Sequence, residues 1–171
     1  MPDGLPAHLR ADCAACVALC CAGPAFDADQ GFGYDKPAHQ PCRHLCASSA
    51  CAIHAVRAAQ GFTSCEVFDC QGAGQRVTAM FGGASWRDGP AVAARMFDAY
   101  ARMCSLHELL VLLSAAQRRA RGAPALAAVT ALAERVEAAC AATPEVLLRS
   151  DPAGLRHDVL LGLRAWQAQL A

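Results

Sequence analysis

The sequence predicts a mainly α protein in two parts, on three observations. The composition is apolar, 55% hydrophobic but only 6% aromatic, which favours helices over sandwiches. Nine of the eleven cysteines fall within the first 70 residues, in stretches broken by Gly, Pro and Asp. Beyond residue 90 the apolar residues recur at helical spacing in three segments. The expected architecture is a loop-rich cysteine lobe over residues 1–88, followed over 89–171 by a three- to four-helix bundle-like region packed on it. A chain of 171 residues is long enough for both.

Each element has its own signal. Residues 5–22 read as a short helix in which Leu9, Cys13, Cys16 and Cys20 share one face, with Cys21 about a quarter-turn away. Gly23 and Pro24 end it. Residues 26–41 lack periodicity and read as a loop that delivers Cys42. Residues 52–60 read as a second short helix, stopped by Gly61 and led by Cys51, a place where the helix dipole favours a thiolate. Residues 63–70 read as a short extended piece carrying Cys65 and Cys70, and the run from Gly72 to Gln75 closes the lobe. The Gly-rich stretch 81–90 is the expected linker, pinned to one lobe by Trp86.

Three helices should follow. One over 91–121 carries Phe97, Tyr100, Cys104 and Val111 and stops at Gly122 and Pro124. A second over 124–142 aligns Leu126, Val129, Ala133, Val136 and Cys140. The third has Asp151 as N-cap and Pro152 at its first position, then Leu155, Val159, Leu163 and Trp166. Residues 144–148 add one turn between the last two.

Charge excludes some classes of function. The formal net charge is zero, with 15 basic and 15 acidic residues, so the basic footprint of a general nucleic-acid binder is missing. No run approaches the roughly 20 apolar residues of a membrane span. An apolar stretch after Arg10 imitates the core of an export signal, but Asp3 and Asp12 precede it, Pro2 and Pro6 interrupt the approach and Gly23-Pro24 breaks it. A reducing, cytoplasmic setting is expected, in which crowded cysteines are thiols and not disulfides.

The thiols are the chemistry. Cys13, Cys16, Cys20 and Cys21 form a CxxCxxxCC run, and Cys42, Cys46, Cys51, Cys65 and Cys70 follow. Small apolar filling does not require oxidisable sulfur, so the stretch reads as a metal site. Eight thiolates divide into two four-coordinate sites, matching zinc's closed tetrahedral preference. Iron, an iron–sulfur cluster and Cu(I) suit the same soft donors. Arg10, Arg43 and Arg57 lie near ligands as countercharges. Cys46 reads as a spare thiol, Cys104 and Cys140 as core fillers, and His44 and His54 as non-ligands. Lys36, His44 and Asp69 near the cluster keep open an electron carrier or metal-dependent modifying enzyme, and Met96, Met103, Cys104 and His107 keep open Cu(I) sequestration or delivery. Enzyme signatures are scarce: the run Gly72-Ala73-Gly74-Gln75 is no dinucleotide fingerprint and HExxH is absent. The helical region offers a surface for a protein partner.

The order CxxCxxxCC, then Cys42-Arg43-His44-Leu45, Cys51-Ala52-Ile53-His54 with Arg57, Gly61-Phe62, and Cys65 before Phe68-Asp69-Cys70, resembles the YkgJ-type cysteine-cluster family, zinc- or iron-chelating domains. A closer likeness is to the N-terminal region of actinobacterial pentapeptide-repeat proteins. There similar stretches recur as Asp35-Lys36-Pro37, Gly72 to Gln75, Phe81-Gly82-Gly83 with Trp86, and Leu106-His107-Glu108-Leu109-Leu110. This chain departs from them in showing no pentapeptide array, so no gyrase-like or DNA-mimic role carries over, and Cys46 lies outside the pattern. The resemblance implies metal binding by Cys13, Cys16, Cys20, Cys21, Cys42, Cys51, Cys65 and Cys70, without an established reaction.

Overall fold

Proline and glycine divide this chain before packing does. The computed structural model describes residues 4–170. Its elements are α1 (Leu19–Ala22), α2 (Thr63–Val67), α3 (Ala73–Met80), α4 (Pro90–Arg119), α5 (Ala123–Cys140), α6 (Pro144–Leu147), α7 (Pro152–Ala165) and α8 (Gln167–Leu170), with short 3-10 turns before α1, between α1 and α2, and between α3 and α4. Among the described residues, extended pairing is confined to two isolated antiparallel bridges, Phe26 with Lys36 and Leu45 with Cys51. The protein is mainly α.

The second half follows its signals closely. Pro90, Pro144 and Pro152 open α4, α6 and α7, where a missing N–H costs nothing. The Asp151 side chain accepts from the Gly154 N–H and caps α7. Gly122, at φ +88°, separates α4 from α5. Helix α4 is the hub and packs against α3, α5, α6 and α7. At about 1.5 Å per residue it is roughly 45 Å long, and it buries Met96, Phe97, Tyr100, Met103, Leu106, His107, Leu110 and Leu113 at three- and four-residue steps.

The first half departs from the predicted helices. Residues 5–22 form two 3-10 turns, Ala7–Leu9 and Cys13–Ala15, and then the single turn α1. Ala18 takes a left-handed conformation at φ +61° and breaks the segment. Residues 52–60 are likewise two 3-10 turns ended by Gly61 at φ +82°. The expected extended piece at 63–70 begins as the helical turn α2, and Gly72 is the N-cap of α3 instead of a closing loop. Positive φ at Ala18, Gly61, Gln71 and Gly72 ends each helical run after a turn or two.

One buried cluster includes Leu5, Leu9, Leu19, Ala22, Ala73 and Val77 together with the α4 residues, Val129, Val136, Cys140, Leu147 and Val159. The connection 81–89 is tied down at Trp86: its indole Nε1 donates to the Val17 carbonyl at 2.7 Å. Arg87 lies over the Trp86 ring and bonds Ser49 Oγ and the Cys46 carbonyl. The loop bearing Cys46 is thereby held beside the start of α4. No helix among the described residues is long and apolar enough to cross a membrane.

Candidate metal centre

A cavity of about 390 Å³ opens between the early turns, α2, the start of α3 and Tyr100 of α4. Its wall is lined by Cys13, Cys16, Cys20, Cys21, Cys42, Cys51, Cys65 and Cys70. The other three cysteines are elsewhere. Cys46 is exposed, Cys140 is fully buried in the helical core, and Cys104 is half-buried on α4. His44, His54 and Arg57 also reach the cavity, with apolar wall supplied by Phe26, Phe32, Phe62 and Phe68.

Local backbone geometry delivers each thiol. After Cys16, the left-handed Ala18 turns the chain so that the amides of Leu19 and Ala18 address the Cys16 sulfur. After Cys70, Gln71 (φ +53°) and Gly72 (φ +81°) do the same, aiming the amides of Gly74 and Gly72 at the Cys70 sulfur. Amide donors of this kind stabilise a thiolate. Only Gly fits at position 72, because a Cβ there would collide with the His8 carbonyl. At Gly74 a Cβ would lie 2.7 Å from Cys16 Sγ and 3.8 Å from Cys70 Sγ, so α3 starts in contact with both sulfurs.

The remaining thiols are placed by pairing. Cys20 and Cys21 have their sulfurs 3.9 Å apart. The Cys42 amide donates to the Cys21 carbonyl at 2.9 Å, and the His44 amide approaches Cys42 Sγ at 3.5 Å. The Leu45–Cys51 bridge, with the Ala52 amide on the His44 carbonyl at 2.8 Å, folds Cys51 back towards Cys42.

Electrostatics make the cavity hostile to thiolates and hospitable to a cation. Burial pushes the Cys13 thiol up, and the Cys20, Cys70 and Cys16 charges push it further. Cys16 and Cys70 are raised chiefly by burial, against the amides that would lower them. The contact with Cys21 and then burial push Cys20 up. Burial followed by the Cys42 and Cys20 charges takes Cys65 to about 11, with Arg57 acting the other way. A cation inside would reverse this balance and deprotonate the set.

Two cations stand close by. Lys36, only 4% exposed, holds its Nζ on the Pro24, Pro37 and Gln40 carbonyls and over the Phe26 ring. Burial lowers its pKa, while Cys42 and Cys21 oppose the shift. Arg57 has a buried Nε with no hydrogen-bond partner among the described residues. Tyr100, on the cavity floor, has a buried hydroxyl that makes no hydrogen bond to N or O; its neighbour is the Cys104 thiol.

The eight cysteines line a wall; they do not meet at a point. Among the described residues no group of three or more Cys, His, Asp or Glu converges closely enough to hold an ion as placed. The donor set nevertheless fits a thiophilic metal: eight soft ligands, two of them addressed by backbone amides, with cations beside them. Met96 and Met103 are buried in the core, and His107 donates from Nδ1 to the Gln71 carbonyl at 2.6 Å. Sequence reasoning missed Gly74, Tyr100 and the role of His107 in holding the turn after Cys70. The Gly72-Ala73-Gly74 pattern just after a cysteine was the available signal for the first.

Fold and site together define a mainly α protein with an eight-cysteine cavity. The chain is 38% identical over 109 residues, 63% of its length, to "Uncharacterized protein YybG" of Bacillus subtilis (strain 168). It spans about two-fifths of that relative's length, 39%. No family model matches the chain, and no solved structure matches it.

Proposed function

We propose that this is a metal-binding protein that holds zinc or iron through Cys13, Cys16, Cys20, Cys21, Cys42, Cys51, Cys65 and Cys70. A single observation carries the proposal. Those eight cysteines, separated by up to 57 positions in the chain, line one cavity, while Cys46, Cys104 and Cys140 do not. Packing alone does not sort cysteines in this way, since the thiol that is best buried, Cys140, is outside the cavity.

Supporting features are the amide donors on Cys16 and Cys70 and the buried Lys36 beside Cys21 and Cys42. A set of thiolates on a divalent ion is anionic, and Lys36 and Arg57 would offset that charge in a medium of low dielectric. The resemblance of the cysteine order to the YkgJ-type cluster family supports the same proposal.

Elemental analysis of the full chain purified without air, read with its optical spectrum, tests it. The expected result is zinc or iron in stoichiometric amount; colourless protein with zinc and coloured protein with iron distinguish the two. A chain that carries no transition metal and takes none up from added Zn(II) or Fe(II) would overturn the proposal.

A further inference from the structure

We propose that the cavity also seats a small aromatic monocarboxylate, with its carboxylate on Arg57 and its ring against the phenylalanines of the wall. This occupant is additional to the ion of the metal-centre proposal and is recognised by residues outside the eight cysteines.

Arg57 calls for an anion. It lines the cavity, its Nε is buried without a hydrogen-bond partner, and no ion pair among the described residues includes it. A guanidinium drawn partly out of water without a partner is costly, and a buried orphan donor points to a group that completes it. Lys36 differs, because the Pro24, Pro37 and Gln40 carbonyls take its three N–H bonds and leave nothing for a ligand. Apart from the thiols, the wall carries one acid, Asp12, and its Oδ1 already accepts from the Ala14 amide at 3.0 Å.

Beside this cation the wall is aromatic and fixed before any ligand arrives. The Phe62 amide donates to the Arg57 carbonyl at 2.9 Å, so one turn sets the ring and the guanidinium together. Phe62 is 2% exposed and cannot swing away. Tyr34 and His44 meet its ring edge-on at centroid distances of 5.8 and 5.2 Å, and a Cβ at Gly33 would lie 2.7 Å from its Cε2. Phe26 and Phe32 stack on each other at 4.7 Å. Phe68 also lines the cavity but is half-exposed, which places it where the cavity meets solvent.

Size and chemistry together define the ligand class. The cavity volume of about 390 Å³ falls within the roughly 300–1,000 Å³ of small-molecule sites, which are mostly apolar with a few polar groups that fix orientation. A metal ion held about 2.3 Å from its sulfurs needs neither that space nor a wall of rings. Guanidinium matches carboxylate through two parallel N–H bonds, and phenylalanine rings take a further ring in offset or edge-on contact. Because the wall is already ordered, little of the binding free energy is lost to arranging it. The thiolates of a loaded metal centre are the competing partner for Arg57, but they give no role to the rings beside it.

The experiment uses the isotope-labelled full chain purified without air, with metal content measured on the same sample, titrated separately with benzoate, benzyl alcohol and acetate and followed by NMR. Benzoate should saturably shift the Arg57 Nε–H and the Phe62 amide. Benzyl alcohol keeps the ring without the charge, and acetate keeps the charge without the ring. Each should bind at least about tenfold more weakly than benzoate. In R57Q the preference for benzoate over benzyl alcohol should vanish. The wild-type comparison needs no variant and decides the matter if R57Q does not fold. Benzoate that leaves these resonances unmoved, or benzyl alcohol or acetate bound as tightly as benzoate, overturns the proposal. So does an R57Q chain that keeps the preference while its metal binding weakens, which assigns Arg57 to the thiolates alone. A chain that takes up no ion but binds benzoate in this way removes the metal-centre proposal and leaves this one standing.

Discussion

Replacing Gly74 by Ala separates what the metal centre needs from what the fold needs. The new Cβ would lie 2.7 Å from Cys16 Sγ, close to 1 Å inside the roughly 3.5–4.0 Å that nonbonded heavy atoms keep. In the metal-free protein Cys16 can swing about χ1 and relieve the overlap. Gly74 lies within α3 and outside the left-handed region, so Ala is conformationally acceptable there and can gain up to about 1 kcal/mol of helix propensity. Metal-free stability should therefore change by no more than about 1 kcal/mol in urea unfolding. In the loaded protein Cys16 is held by its ion and cannot swing, and an overpacked site costs about 1–3 kcal/mol. That converts to a loss of about 5- to 150-fold in zinc affinity, measured by competition with a chromophoric chelator. Wild-type affinity in G74A would refute the placement of Cys16 against α3.

Three further outcomes follow from the same structure. Removing metal with a strong chelator should collapse much of the circular dichroism contributed by residues 5–80, because those turns are too short to persist alone; a spectrum that does not change would contradict this. His107 is buried with Nδ1 on the Gln71 carbonyl and Nε2 unpartnered, and burial, partly offset by that hydrogen bond, lowers its pKa; Arg76, Glu137 and His8 are the charges bearing on it. The folded state therefore refuses a proton that the unfolded chain accepts below about pH 6.5, so stability should fall as pH drops through that value, by at most about 1.4 kcal/mol per unit, and H107Q should flatten the slope measured between pH 5 and 7.5. Asp151→Ala should cost about 1 kcal/mol by losing the cap on α7 while leaving zinc affinity unchanged; a fall in affinity would show that the end of the chain is coupled to the cavity.

The sequence by itself determined the helical half. Pro90, Pro152, Asp151 and Gly122 are local signals, and the stripes through Phe97, Val129 and Val159 are periodic, so neighbouring residues suffice to place α4, α5 and α7. The eight cysteines singled out from the sequence and the resemblance also share one cavity wall, and Cys46, Cys104 and Cys140 lie outside it. The shape of the cysteine half was not legible in the sequence. Residues 5–22 carry a helical stripe, yet Ala18 is left-handed and the segment breaks into turns, because each thiol has to face a cavity that residues 42–74 and Tyr100 help to build. Only the tertiary structure decided that Gly74 touches Cys16 and Cys70, that Cys42 pairs with Cys21, and that His107 holds the turn after Cys70. Apart from Gly74 with Cys70, these contacts join residues from 21 to 58 positions apart, and no local periodicity encodes a distance of that kind.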